Sequence, residues 1–419
     1  MHLDVIDDYD SFLALKDPWD SVYADDPEAQ FYLSWTWMTK WLDAAISEWV
    51  VLAARDETDG DRYVAFLPLR IRAFPAKNGT FYTEIWMAAQ GIADYVGFLC
   101  RAGAEEQALP ALANYVKTLK WNGLNLRCFD ASDARMKLWT DAFPRSDFKL
   151  KRVTSTNNEE GYDNAICPYV TLPDDWDTYL DNQVSANTRQ KIRRFLRKVE
   201  NDDAYRITVT DKDSLESDYE VLQKLWDDKW GESKGEAATQ IFGRIRRIML
   251  THCLEHDALF MPILWHGDKA VGALGSIVDT VKKSMLFMLA GRDLKAKGVP
   301  SGLVLHAYSI RYAIENGFKT YDFMRGNEPY KYSFGSKERL VKYMVVERKV
   351  AGNQLDPRCV GSATLLTQRT QAYGQWAQAE RGYRQILKAQ PDNEEVQTRL
   401  DQVLSMKSKP KASGKRRSA

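Results

Sequence analysis

Along residues 31–46 (FYLSWTWMTKWLDAAI) the apolar side chains gather on one helical face. Trp37, Trp41 and Ala45 follow one another at i+4 steps, with Leu33 one turn earlier. The spacing predicts a helix capped by Ser34 or Thr36. Two strands are expected next, at 49–54 and 63–73, divided by the turn-rich ETDGD, then a helix at 109–120 and a strand at 123–129. The polar stretch NNEEGYDN at 157–164 has no apolar period and marks the main boundary.

A second unit starts near Cys167. It reads as a basic helix (185–200), a strand (205–210), two helices (214–230 and 237–256) and an antiparallel meander of three strands (258–265, 270–280 and 283–291) turning at HGDK and VDTVKK. The loop KAKGVPSG leads into a helix at 303–316 stopped by Gly317, then a strand at 319–324, a loop and a last strand at 341–349. A strand–helix–strand crossover makes 284–289 and 320–324 parallel neighbours in an otherwise antiparallel sheet. Such a pair can splay. An opening beside a helix N-terminus, with its free N–H groups, suits an elongated phosphate-bearing cofactor.

Composition narrows the class. With 44% hydrophobic and 12% aromatic residues in 419, the chain can bury two or three cores, which excludes a disordered or fibrous protein. Lys+Arg and Asp+Glu both number 58, so no net field draws the whole molecule to nucleic acid or membrane. Five scattered cysteines without a CxxC pair fit a reducing compartment better than a disulfide framework. The acidic, interrupted start does not resemble a signal peptide, and no apolar run is long enough to span a bilayer, so a cytoplasmic protein is expected.

Three segments carry candidate chemistry. In the loop before the 303–316 helix, Pro300 fixes φ, Ser301 can cap and Gly302 permits close backbone approach, so Gly298, Ser301 and Gly302, with Arg292 and Lys297, are candidates for holding a pyrophosphate. The run DFMRGNEPYK places acid, base and phenol in one loop beside the proposed opening. There Glu328 suits deprotonation of an ammonium nucleophile, and Tyr330 or Lys331 suits protonation of a leaving thiolate. Asp322 and Arg325 either join this chemistry or form an ion pair that fixes the loop. On the 185–200 helix, Ile192, Phe195, Leu196 and Val199 make an apolar face, while Arg189, Lys191, Arg193, Arg194, Arg197 and Lys198 crowd the rest. Arg193 and Arg194 either grip phosphate on a nucleotide, carrier protein or tRNA, or belong to a solvated face. His252, Glu255 and His256 match an HxxEH spacing with no further ligand or protease architecture, and no metal is expected there. GxSxG and GxGxxG are absent from any fitting context.

These elements and motifs carry a resemblance. The element order is similar to the GNAT fold, and Asp322, Phe323, Arg325, Gly326, Glu328, Tyr330 and Lys331 match the pattern DFxRGxExYK of CelD-like acyltransferases. The upstream VPSGLVLHAYSIRYAIENGF, the tryptophan-rich helix and ADYVGFL at 93–99 also resemble that branch. The Tyr330-Lys331 pair and the basic helix are similar to the FemABX aminoacyl transferases, also built as tandem GNAT-like units. The proline in LKAKGVPSG departs from the usual R/Q-x-x-G-x-G/A phosphate loop. The resemblance implies an α/β (α+β) protein of two tandem GNAT-like units with mixed, mainly antiparallel sheets: a degenerate acceptor-side unit at 1–160, with Trp37 and Trp41 as substrate-binding candidates, and a catalytic unit at 166–352. It implies transfer of an acyl group from acyl-CoA, acetyl-CoA among them, to an amine or amino-sugar acceptor, as in exopolysaccharide or cell-envelope synthesis. The alternatives are aminoacyl transfer from charged tRNA to a wall precursor and a non-catalytic docking protein.

After Gly352 the spacing of Gly374, Trp376, Ala379, Tyr383, Leu387 and Pro391 resembles a tetratricopeptide repeat, continued at 394–404. Since repeats need stacked neighbours, 360–404 reads as a helical hairpin that packs on the catalytic unit, joins a dimer contact or docks a protein partner. The basic tail at 405–419 is expected to be disordered.

Overall fold

The computed structural model describes residues 1–408 apart from 59, 61, 157–160, 235 and 351. Part of the expected boundary at 157–164, and residues 409–419 of the expected tail, therefore lie outside the described residues, while 405–408 finish the helix Glu394–Ser408.

The chain builds two mixed, mostly antiparallel sheets. In the first, the strands lie in the order His2–Ile6, Trp49–Asp56, Arg62–Pro75, Phe81–Met87, Gly123–Phe129, Lys342–Arg348 and Phe148–Arg152, with Leu99–Cys100 paired to Arg62–Pro75. In the second, the order is Lys337–Leu340, Ile166–Thr171, Thr320–Asp322, Ser284–Arg292, Lys269–Asp279, Pro262–His266 and Tyr205–Val209, with Leu259–Phe260 on Lys269–Asp279. Each sheet has one parallel pairing between named strands, and both follow from a helical crossover. Phe81–Met87 lies parallel to Gly123–Phe129 across the helix Glu105–Thr118, and Ser284–Arg292 lies parallel to Thr320–Asp322 across the helix Ser301–Glu315. This is the α+β architecture the alternation predicts, repeated twice.

The tryptophan-rich helix forms over Trp35–Asp43 because Ser34 leaves the helical region and its hydroxyl accepts from the Trp37 N–H. The basic helix forms over Ala186–Asn201 behind the Ser185 cap, and Gly317 at φ 74° ends the Ser301–Glu315 helix.

The strand expected to close the second unit goes elsewhere. Lys342–Arg348 inserts between Gly123–Phe129 and Phe148–Arg152, pairing Val345 with both Asn125 and Lys151. The connection Lys337–Leu340 to Lys342–Arg348 thus returns the chain from the second sheet to the first. A strand buried on both edges has no sequence mark that says which sheet it joins; only the unfilled ladder between the two first-unit strands decides it.

One apolar cluster runs from Phe12, Trp19 and Trp37 through the helices Leu215–Lys234 and Glu236–Glu255 to Ile263, Ala273 and Leu286 on the second sheet. The opposite face of that sheet packs under the Ser301–Glu315 and Ala186–Asn201 helices around Val170, Ile192, Leu196 and Ile310. Three C-terminal helices, Val360–Ala372, Trp376–Ala389 and Glu394–Ser408, stack in sequence order against the first unit. The approach is close: a Cβ on Gly79 would come within 2.5 Å of the Gln378 backbone, and one on Gly382 within 3.1 Å of the Gly79 carbonyl.

A shared core and a returning strand join the two units, and cooperative unfolding is expected from them. Val345→Pro removes a ladder bond inside the returning strand and should cost about 3 kcal/mol or more. Denaturant melts followed by fluorescence and far-ultraviolet dichroism should show one coincident transition at a lower midpoint; separate transitions would mean independent units.

Candidate active site

The parallel pairing in the second sheet is short. It joins Ser284, Met285 and Leu286 to Thr320, Tyr321 and Asp322 and then stops, while Ser284–Arg292 continues along Lys269–Asp279 as far as Arg292. The two strands part where the DFMRGNEPYK loop begins.

That loop is fixed from several sides. Met324 sits at φ 61°, an uncommon conformation for a side-chain-bearing residue, and its N–H donates to Asp322 Oδ1 at 2.7 Å. Gly326, at φ 98°, leaves room that a Cβ would close, because Glu328 Oε2 lies 2.6 Å from where that Cβ would stand. The Phe323 and Gly326 N–H groups donate to the Pro168 and Ile166 carbonyls. Lys331, only 2% exposed, turns its ammonium inward, donating to the carbonyls of Arg325 (2.8 Å), Gly326 (2.9 Å) and Met324 (3.3 Å), and pairs with Glu328 at 2.8 Å. All its donors are occupied, so Lys331 is built as a staple for the loop.

Asp322 and Arg325 do not pair with each other; each reaches into the first unit. Asp322 is 1% exposed and accepts from the Tyr95 hydroxyl at 2.9 Å through both oxygens. Arg325 forks onto Asp94, with Nε and Nη2 at 2.6 and 2.5 Å from Oδ1, and its Nη1 approaches Cys128 Sγ and the Tyr343 hydroxyl. Arg339, from Lys337–Leu340, lies 3.5 Å from Asp322 and 3.7 Å from Asp130, over the rings of Tyr95 and Tyr169. A buried and a partly buried carboxylate thus share one guanidinium. Burial pushes Asp130 up to about 6, against the pull of Arg339 and helped by Asp322. Asp322 is raised too, again by burial first.

Tyr330 is partly exposed beside His306 and Phe323. Packing around the phenol, and then the Glu328 carboxylate, holds it above the ordinary tyrosine value. His306 lies on the Ser301–Glu315 helix, enclosed by Phe287, Tyr321, Phe323, Tyr330 and Phe334, with Nδ1 2.9 Å from the Tyr321 hydroxyl. Burial, and then the Lys331 cation, pushes it down to about 3, so the imidazole is neutral.

At the other end of the opening, Pro300 occupies the cap position of the Ser301–Glu315 helix and supplies no side-chain acceptor. Gly298 has φ 111°, and the point where its Cβ would stand lies 3.9 Å from Lys198 Nζ and 2.5 Å from the Tyr205 hydroxyl. Gly302 faces open space, Ser301 is buried, and Arg292 and Lys297 are exposed. An uncapped helix N-terminus with a lysine beside its leading loop can hold an anion. On the basic helix, Arg193 is engaged with Asp177 and Asp181, and Arg194 lies over Phe195, while Lys198 is the residue that reaches the loop. Trp37 and Trp41 lie in the first-unit core at 1% and 9% exposure, and Trp37 packs on Tyr32, which in turn meets Tyr95.

Sequence reasoning passed over Asp94, Tyr95, Asp130, His306 and Arg339. Asp94 and Tyr95 stand in ADYVGFL and His306 in VPSGLVLHAYSIRYAIENGF, segments that carry only the family resemblance; Asp130 and Arg339 carry no local signal, because they meet across 209 residues.

Comparison with known proteins follows the geometry. Residues 186–332 match the family model described as an acetyltransferase (GNAT) domain. The second unit carries a GNAT-type acyltransferase domain. The chain is thus an acyltransferase. No curated protein sequence matches it significantly. Among solved structures, FemX aligns at a TM-score of 0.57 with 11% identity, over 83% of this chain and 97% of that one. A conserved protein of unknown function from Bacteroides thetaiotaomicron VPI-5482 aligns at 0.50 with 13% identity, over 83% and 100%. A tandem GNAT protein from the clavulanic acid biosynthesis pathway gives 0.46 with 12% identity, over 84% and 100%. At these identities the likeness to the first two is one of fold. None of the described helices is long and apolar enough to cross a membrane.

Two outcomes test the GNAT loop and its junction. Lys331→Met strands three carbonyls and the Glu328 carboxylate and should destabilise by about 3 kcal/mol in denaturant melts. The Asp130 contribution, because its folded value lies above its unfolded one, is fully present below about pH 4 and lost as pH rises through about 6. Stability should therefore fall by roughly 1–3 kcal/mol from this group across that window, and Asp130→Asn should flatten the profile there.

Proposed function

We propose that the protein transfers an acyl group from acyl-CoA to the nitrogen of an amine or amino-sugar acceptor, with the chemistry in the second unit. The observation that carries this reading is the three-residue parallel pairing, which ends at Leu286 and Asp322, together with a helix N-terminus at the other end of the opening that no side chain caps. A thioester laid between the parted strands has its pyrophosphate near the Gly298, Ser301 and Gly302 backbone and Lys198, with Arg292 and Lys297 on the exposed rim. Its acyl carbon then lies toward Glu328 and Tyr330.

The acceptor arrives as an ammonium and must lose a proton before attack. Glu328 takes it, directly or through a water. The amine nitrogen adds to the thioester carbonyl, and the carbon–sulfur bond breaks as the amide forms. Tyr330, kept protonated by its surroundings, gives its proton to the departing thiolate, and the second proton that the acceptor nitrogen sheds as the amide forms returns through water to the Tyr330 phenolate. Lys331, Asp322 and Arg325 act by holding the loop that presents these two groups, and neutral His306 packs behind Tyr330. Since Asp94 and Tyr95 hold that loop, the first unit completes the acceptor side of the site.

A second reading is aminoacyl transfer from charged tRNA, favoured by the exposed Arg194, Arg197 and Lys198 on the basic helix. The two separate on donor: coenzyme A should raise the melting temperature under the first and tRNA under the second.

Gly302→Leu tests the phosphate site without straining the fold, since its side chain would start in open space. It should raise the KM for acyl-CoA roughly tenfold and leave the melting temperature unchanged. Glu328→Gln and Tyr330→Phe should each lower kcat about 100-fold with an identified acceptor, and full turnover by both would remove their chemical roles.

A further inference from the structure

The helix Glu236–Glu255 runs out at the seam between the two units, where its final turn meets the first-unit helix Trp35–Asp43. There His252, Glu255 and His256 come together, and one ligating atom from each lies within 4.8 Å of the others. The sequence shows the spacing but not the tautomers, and the fold supplies those. His252 Nε2 is 3.0 Å from the Thr36 carbonyl. A carbonyl only accepts, so Nε2 carries the proton and Nδ1 keeps its lone pair, 3.9 Å from Glu255 Oε2. His256 Nδ1 is 2.9 Å from the His252 carbonyl, so it too carries the proton and leaves Nε2 as a base.

We propose that His252 Nδ1, Glu255 and His256 Nε2 form a site for a divalent first-row transition metal of the zinc class. Each imidazole donates its other N–H to a backbone carbonyl, the outer-shell arrangement that fixes ring orientation in metal-binding histidines. Two imidazoles and a carboxylate suit zinc, with a water completing the tetrahedron. Bond lengths of about 2.0–2.2 Å require the three atoms to draw closer, and exposed Glu255 and His256 can turn to do so while His252 stays anchored. Capping of the helix C-terminus accounts for the His256 Nδ1 bond alone and leaves the convergence of the three groups unexplained. The nearby first-unit cation, Lys40, is paired with Asp43 at 3.0 Å.

The metal's place is structural and separate from acyl transfer. A cation on Nδ1 withdraws charge from the His252 ring and makes Nε2–H a stronger donor to Thr36, so metal binding tightens the contact between the units.

The test uses the full chain without a polyhistidine tag, stripped with chelator. Isothermal titration with zinc chloride should show one zinc per chain, and a saturating excess should raise the melting temperature by about 3 °C. Cobalt should give the visible absorption of a low-coordinate site. His256→Ala and Glu255→Gln alter exposed side chains; both should fold normally, and His256→Ala should weaken binding about tenfold or more. No heat with about 100 µM zinc, or an unchanged isotherm for His256→Ala, would overturn the site.

Discussion

A carboxylate removed from water must be met by donors, and Asp322 is the place where that requirement shapes this protein. The strand carrying it ends in the interior, so its charge is held by the Tyr95 hydroxyl, the Met324 N–H and Arg339. Only the Met324 N–H is local. Tyr95 belongs to the first unit, and Arg339 comes from the edge strand just before the chain returns there. Meeting the needs of one buried charge therefore fixes how the units face each other, and with it the position of the loop that carries Glu328 and Tyr330.

The same logic changes the meaning of the DFxRGxExYK pattern. Read as a string, it offers two acids, two bases and a phenol. In the folded chain Asp322 and Arg325 face the first unit, Lys331 faces its own loop's carbonyls, and Glu328 and Tyr330 keep some exposure to solvent. A motif residue can be required because the loop has one shape, without touching a reacting atom.

Legibility in the sequence followed the range of the interaction. The Ser34 cap, the basic helix that starts at Ser185, the Gly317 stop, the meander at 258–291 and the parallel neighbours of the second sheet rest on nearby residues and match the fold. Short strands such as Phe81–Met87 and Phe148–Arg152 were passed over, the second because alternating lysines and arginine at a sheet edge look like a loop. The sheet that Lys342–Arg348 joins, the Asp94–Arg325 pair and the Asp130–Arg339–Asp322 group depend on residues far apart in the chain, which no local pattern records. Arg193 and Arg194 stood out by density of charge, yet Lys198, one turn on, is the cation at Gly298, because helix phase and not composition decides which side chain meets the loop.

The returning strand has a consequence for how the protein is made. During synthesis, Gly123–Phe129 and Phe148–Arg152 emerge with a gap between them that Lys342–Arg348 fills only when residue 348 has been added, nearly 200 residues after residue 152. At about 5–20 residues per second the ribosome needs roughly 10–40 s to cover that distance. For that time the nascent first sheet presents two unpaired strand edges flanked by apolar side chains, the kind of surface that chaperones occupy and that aggregation exploits. The last strand of the second sheet, Lys337–Leu340, is made before the strand that completes the first, so the second unit can close its own sheet first.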